Sequence, residues 1–175
     1  MSPATVATVP TPTGPFAVIA ARDDDGAEVV LASGWTDSPE ELLLLVHRSL
    51  RPESVTARTP EALDAVDAYL AGDVAAIDRV RVRQLSGPFL TEAWDVLRTV
   101  PAGTPDSYAA FATRCGRPAA IRAAAQACAR NAAALVVPCH RVLGSGGGLG
   151  GFRWGTPVKR WLLDHEAAAV AARAA

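Results

Sequence analysis

Residues 107–142 read SYAAFATRCGRPAAIRAAAQACARNAAALVVPCHRV, and how this stretch divides decides the fold. Ser107 is placed to cap a helix over Tyr108–Cys115, and Gly116 stops it. Pro118 suits the first turn of a second helix, Ala119–Arg130, which ends at Asn131. Two short helices joined by a brief turn with a glycine form a helix-turn-helix pattern; an Ala-rich core helix gives the same pattern. The second helix is mostly alanine, with Arg122 and Arg130 as its charges, so its backbone can come close to a flat or grooved partner. Leu135–Val137 reads as a buried strand stopped by Pro138, and Cys139, His140 and Arg141 follow directly.

Around this stretch the chain falls into two parts. Phe89–Val100 is amphipathic, with Phe89, Ala93, Val96 and Val100 on one face. Gly144–Gly151 is glycine-rich, and PVKRWLLDHEAAAVAARAA at the C-terminus is a helix. Before Gly87-Pro88 the pattern is α/β. The first eight or so residues read as a frayed end. Phe16–Ala21 and a strand beginning at Val29–Leu31 form a hairpin across Asp23-Asp24-Asp25-Gly26. Ser38 and Pro39 open one helix, and Thr59-Pro60-Glu61 opens another through Leu63, Val66 and Leu70 to Gly72. Ala75–Val82 reads as a further strand. The predicted fold is therefore α+β, with an α/β domain over residues 1–85 and a helical domain over residues 86–175.

Composition narrows the function. Of 175 residues, 50% are hydrophobic and 20% charged, which suits a packed interior and excludes a disordered tail protein. No apolar run is long enough to span a membrane, and the proline-rich N-terminus has no basic region of a secretory signal. Three cysteines without a C-x-x-C argue against a disulfide framework and for a reducing cytoplasm. The net charge of −1 conceals a division. Residues 1–80 hold 5 basic and 13 acidic side chains, and residues 81–175 hold 12 and 5. A basic second part suits a polyanionic partner; a polarised solvated surface would look the same.

The chemistry concentrates at Pro138-Cys139-His140-Arg141-Val142. A cysteine nucleophile needs its thiolate stabilised by a cation or an imidazole, and both follow Cys139. Neighbours on a strand point to opposite faces, so Pro138 must turn the chain or a water must bridge thiol and ring. A carboxylate should hold the other ring nitrogen, and Asp164 and Glu166 are the candidates. Three other readings stay open here. Cys139 can be an inert buried thiol. Cys115, Cys128, Cys139 and His140 can be tried as metal ligands, but their spacing matches no zinc pattern. The glycine run can be a phosphate cradle, but it lacks the Gly-Lys-Ser/Thr ending.

VVPCHRV, GGLGGFRWG and VKRWLLDHE together resemble the methylated-DNA–protein-cysteine S-methyltransferases, the O6-alkylguanine-DNA alkyltransferase family. The resemblance extends upstream through FLTEAW, SYAAFA and GRPAAIRAAAQACARN, and covers about residues 86–168. It implies a ribonuclease-H-like α/β domain followed by a helical DNA-binding alkyltransferase domain with a helix-turn-helix. The implied reaction is one irreversible transfer, from O6-alkylguanine or O4-alkylthymine in flipped-out duplex DNA to cysteine, with no cofactor and no metal. The alternative is a non-catalytic lesion-binding module. By resemblance Cys139 is the acceptor, His140 takes its proton through a water, Glu166 orients His140, Tyr108 protonates the departing base, and Asn131 braces the turn. DNA contacts fall to Arg122, Ala123, Ala124, Ala127, Arg130 and Arg141. Val142, Gly150, Gly151, Phe152, Arg153 and Trp154 form the pocket. The implied partner is the minor groove of double-stranded DNA, met by a cytoplasmic monomer able to cluster on DNA, with no membrane. Ala132 stands where the family often has proline, and Phe152 where tyrosine is usual.

Overall fold

The computed structural model describes residues 3–174. They form two compact units, one of residues 3–85 with 132–136, the other of residues 86–131 with 137–174.

The first unit is built on a four-stranded sheet in the order β3-β2-β1-β4. Strand β1 (Ala4–Thr11) pairs antiparallel with β2 (Gly14–Arg22), and β2 with β3 (Glu28–Gly34). The short β4 (Val55–Ala57) joins β1 in parallel. The expected frayed end, whose first two residues lie outside the described ones, is corrected: residues 5–11 pair with β2 and Ala4 with Val55 of β4, so their backbone groups are satisfied. The acidic turn behaves as its residues dictate. Gly26 N–H donates to the Asp23 carbonyl and Ala27 N–H to the Asp25 carboxylate. Phe16–Ala20 on the central β2 are wholly buried, which explains a continuous apolar run rather than an alternating one. Helices α1 (Pro39–Leu45) and α2 (Ala62–Leu70) complete the unit. The α2 N-terminus has no cap of its own; the Glu28 carboxylate of β3 accepts from Glu61 and Ala62 N–H instead.

Two strand expectations fail. Ala76–Arg79 is a 3-10 turn, and of the predicted strand over 75–82 only Val82 bridges to Val30. Leu135–Val137 are buried, as their apolar character requires, yet they form no strand, and the preceding Ala133 makes an isolated bridge to Ser33. Leu135 has φ +73, a left-handed conformation that ends strand geometry. This segment is tied into the first unit by Ser33, which exchanges backbone bonds with Ala132 and Ala134 and donates its hydroxyl to the Ala134 carbonyl.

The second unit is helical. Helix α3 (Pro88–Leu97) buries Ala93, Trp94 and Leu97. Two-residue strands β5 (Asp106–Ser107) and β6 (Val142–Leu143) pair in parallel. Helix α4 (Tyr108–Arg114) starts at Ser107, whose hydroxyl accepts from Ala110 N–H at 3.1 Å. Helix α5 runs Ile121–Ala129, two residues later than expected, because Pro118–Ala120 close a turn rather than a helical one. Helix α6 (Thr156–Ala174) closes the chain. Among the described residues no helix is long and apolar enough to cross a membrane.

Candidate active site

Cys139, His140 and Arg141 form a single 3-10 turn that leaves Pro138 and enters β6. A 3-10 turn spreads successive side chains by about 120° rather than 180°. The three neighbours therefore reach different partners within one unit, which no strand could arrange.

Cys139 is 7% exposed. Its Sγ receives a hydrogen bond from Asn131 Nδ2 at 3.2 Å, and the same amide donates to the Val137 carbonyl at 2.7 Å. Asn131 thus clamps the turn from both sides of Pro138. Burial pushes the Cys139 thiol above its ordinary pKa, against the opposing pull of Asn131 and of Lys159. A thiol raised in this way keeps its proton until a base removes it.

His140 is wholly buried, and its Nε2 meets Glu166 Oε1 at 2.9 Å. Its Nδ1 has no hydrogen-bond partner, the single buried side-chain nitrogen or oxygen among the described residues of which this is so. Of the two carboxylates considered, Glu166 is buried on the inner face of α6 and Asp164 is exposed. Burial alone would raise the Glu166 carboxyl; the facing His140 ring and the Arg141 guanidinium outweigh it and hold it well below the usual carboxylate range. Burial keeps the imidazole neutral, below its ordinary value. With His140 neutral, the lasting counter-charge of Glu166 is Arg141.

Arg141 is accordingly not a DNA contact, which is a second correction. It is 2% exposed, it meets both Glu166 oxygens through Nε at 3.1 and 3.0 Å, and its Nη1 donates to the Val100 carbonyl at 2.8 Å. The resemblance implies the DNA contact, but the turn directs the side chain inward.

Tyr108 is the first residue of α4 and is half-buried. Burial, with the two thiols Cys128 and Cys139 nearby, raises its phenol above the ordinary value, so it holds its proton at pH 7. The phenol faces Gly150: a Cβ there would stand 3.6 Å from the Tyr108 hydroxyl. Gly150 has φ +62, so a side chain is disfavoured by the backbone itself. Phe152, Arg153 and Trp154 follow in sequence, and Arg153 donates to the Ala129 carbonyl at the end of α5.

On α5, Arg122 and Arg130 are exposed and Ala123 is half-buried. Ala124 and Ala127 are wholly buried, and Trp94 Nε1 donates to the Ala127 carbonyl at 2.9 Å. These two alanines are core, not close-approach positions; alanine spacing alone could not fix the rotation of the helix.

Sequence reading missed Lys159. It is 1% exposed, and its Nζ donates to the Val142 carbonyl at 2.6 Å and lies 6.0 Å from the Phe152 ring centre. Its charge favours a thiolate at Cys139. Seven residues before Glu166, it shares that residue's face of α6, and this helical spacing was the available signal.

Acid should unfold this network in a defined order. For both His140 and Glu166 the unfolded chain binds more protons on acidification, so stability falls as pH falls. The loss begins near the ordinary histidine value of 6.5 and continues below the ordinary carboxylate value of 4.5. The expected outcome in scanning calorimetry is a Tm that declines from pH 6.5 downwards, with the decline between pH 7 and 5 flattened in His140→Gln.

Comparison with known proteins finds similar chains. The sequence model for the DNA-binding domain of 6-O-methylguanine DNA methyltransferase matches residues 88–168. A methylated-DNA–protein-cysteine methyltransferase of Salmonella typhimurium is 36% identical over 159 residues, 90% of this chain and 92% of that protein. The bifunctional transcriptional activator/DNA repair enzyme Ada of Escherichia coli is 47% identical over 79 residues, 45% of this chain and 22% of that protein. Among solved structures, Mycobacterium tuberculosis OGT in complex with DNA superposes with TM-score 0.72 at 29% identity, covering 94% of each chain.

Proposed function

This chain belongs to the methylated-DNA–protein-cysteine methyltransferase family, and from that premise we propose that it repairs duplex DNA by moving the alkyl group of O6-alkylguanine onto Cys139. The observation that carries the assignment is the pair of ring nitrogens on His140. Nε2 is fixed on an ionised carboxylate, which makes it the N–H of the ring, and Nδ1 is left as a buried proton acceptor one residue from the thiol.

The steps follow from these groups. His140 Nδ1 takes the Cys139 proton through a bridging water, and Glu166 stabilises the imidazolium that forms. Lys159 and the Asn131 amide favour the sulfur anion. The thiolate attacks the alkyl carbon, a C–S bond forms and the C–O6 bond breaks. Tyr108 gives its phenol proton to the departing guanine. The product thioether is stable, so each molecule acts once. O4-alkylthymine presents the same kind of alkyl–oxygen bond and is a second substrate.

The lesion must leave the base stack to reach a thiol this buried. We take α4 and α5 as a helix-turn-helix that enters the minor groove, with Arg122 filling the gap left by the base and Ala123 allowing close approach. The pocket wall is then Gly150–Trp154. The order β3-β2-β1-β4, antiparallel except for β4, supports a ribonuclease-H-like first domain. The cytoplasm, a reducing compartment, is where Cys139 would stay a thiol.

Mass spectrometry after incubation with a duplex containing O6-methylguanine tests this. The expected result is one added methyl group on the peptide holding Cys139 and none on Cys115 or Cys128. Intact unmodified protein overturns the assignment; tight lesion binding without the adduct identifies a non-catalytic lesion-binding module.

A further inference from the structure

Helix α5 carries a polar side chain that neither the acceptor thiol nor the proton network uses. The inward face of the helix is fixed by Ala124 and Ala127, both wholly buried. At about 100° per residue, that packing turns Arg122, Gln126 and Ala129 outward, at i, i+4 and i+7. All three are exposed, and the small Ala125 lies beside them. The Gln126 side-chain amide makes no hydrogen bond among the described residues.

We propose that Gln126 is a specificity-determining residue that reads the minor-groove edge of a base pair near the lesion and favours G·C there. The inference rests on the DNA-repair reading above. Four residues of helix rise about 6 Å, and stacked bases are about 3.4 Å apart. With Arg122 at the gap left by the extruded base, the Gln126 amide falls about two base steps along the groove. Ala125 and Ala129 leave the helix backbone free to approach the groove floor. There an A·T pair presents only acceptors, whereas a G·C pair adds the guanine 2-amino donor. The Gln126 amide has one acceptor and one donor group. Its Oε1 accepts from the 2-amino group while its Nε2 donates to an adjacent ring acceptor. An A·T pair satisfies only the donor.

Single-turnover transfer rates at subsaturating protein test this on the full chain. The substrates are duplexes with O6-methylguanine in which each of three pairs on either side is in turn G·C, inosine·C or A·T. Inosine removes only the 2-amino group. The wild type is expected to react about five-fold faster with G·C than with inosine·C at one position about two steps from the lesion. Q126A and Q126M, at an exposed site, are expected to lose that preference, and Q126M keeps the side-chain bulk. A wild type indifferent to the 2-amino group at every position overturns the proposal, as does either variant retaining the full preference. Absence of transfer to Cys139 from every duplex would instead overturn the repair reading.

Discussion

Tyr108→Phe is expected to slow alkyl transfer to Cys139 by about 100- to 10,000-fold at saturating duplex, the range that a lost general acid produces. A guanine anion is a poor leaving group, and the phenol is the group here able to protonate it. Its raised pKa keeps the proton in place until charge develops on the base. The start of the helix that carries the phenol is also held. Ser107 caps α4, the Asp106 carboxylate receives Arg114 Nε at 2.8 Å and Nη2 at 3.2 Å across the same helix, and β5 pairs with the strand that leaves the Cys139 turn. Phenylalanine keeps the ring, the packing against Gly150 and the helix, and removes only the proton. Rapid-quench sampling with mass analysis of the Cys139 peptide gives the rate. A loss of less than about three-fold would remove Tyr108 from the chemistry.

Arg141→Met is expected to cost about 3–5 kcal/mol of folding stability, because it strands an ionised carboxylate in the interior. Glu166 is wholly buried and its constant counter-charge is this guanidinium. The variant also removes the donor to the Val100 carbonyl. Without Arg141 the carboxyl pKa rises, Glu166 takes up a proton more readily, and its hold on the His140 tautomer weakens. Urea unfolding of the wild type, Arg141→Met, Glu166→Leu and the double variant separates the effects. The double variant should be more stable than Arg141→Met, since removing both charges leaves neither buried alone. A single-variant cost near that of a surface pair, below about 1 kcal/mol, would show that the pair does not hold the turn.

Local chemistry made much of this legible. Pro138 next to Cys139-His140-Arg141 marked the reactive turn, Ser107 marked the start of α4, and the acidic turn at Asp23–Gly26 marked a hairpin. Each depends on residues close in sequence, whose φ, ψ and capping preferences act wherever the segment lies. Errors arose where the deciding partner was distant. The residues around Ala4 looked frayed until β2 paired with them, and Leu135–Val137 looked like a strand until Ser33 captured their neighbours.

Sequence alone marked Cys139 and His140, beside a turn-forming proline, as candidates for the chemistry, and the family resemblance added the Tyr108 phenol. Only tertiary structure decided which way each pointed. It turned Arg141 inward to Glu166, buried Ala124 and Ala127, brought Lys159 to the Val142 carbonyl, and raised the pKa of the Cys139 thiol. The physical reason is that charge state and facing depend on what shields a group from water, and desolvation is a property of the assembled neighbours rather than of the residue.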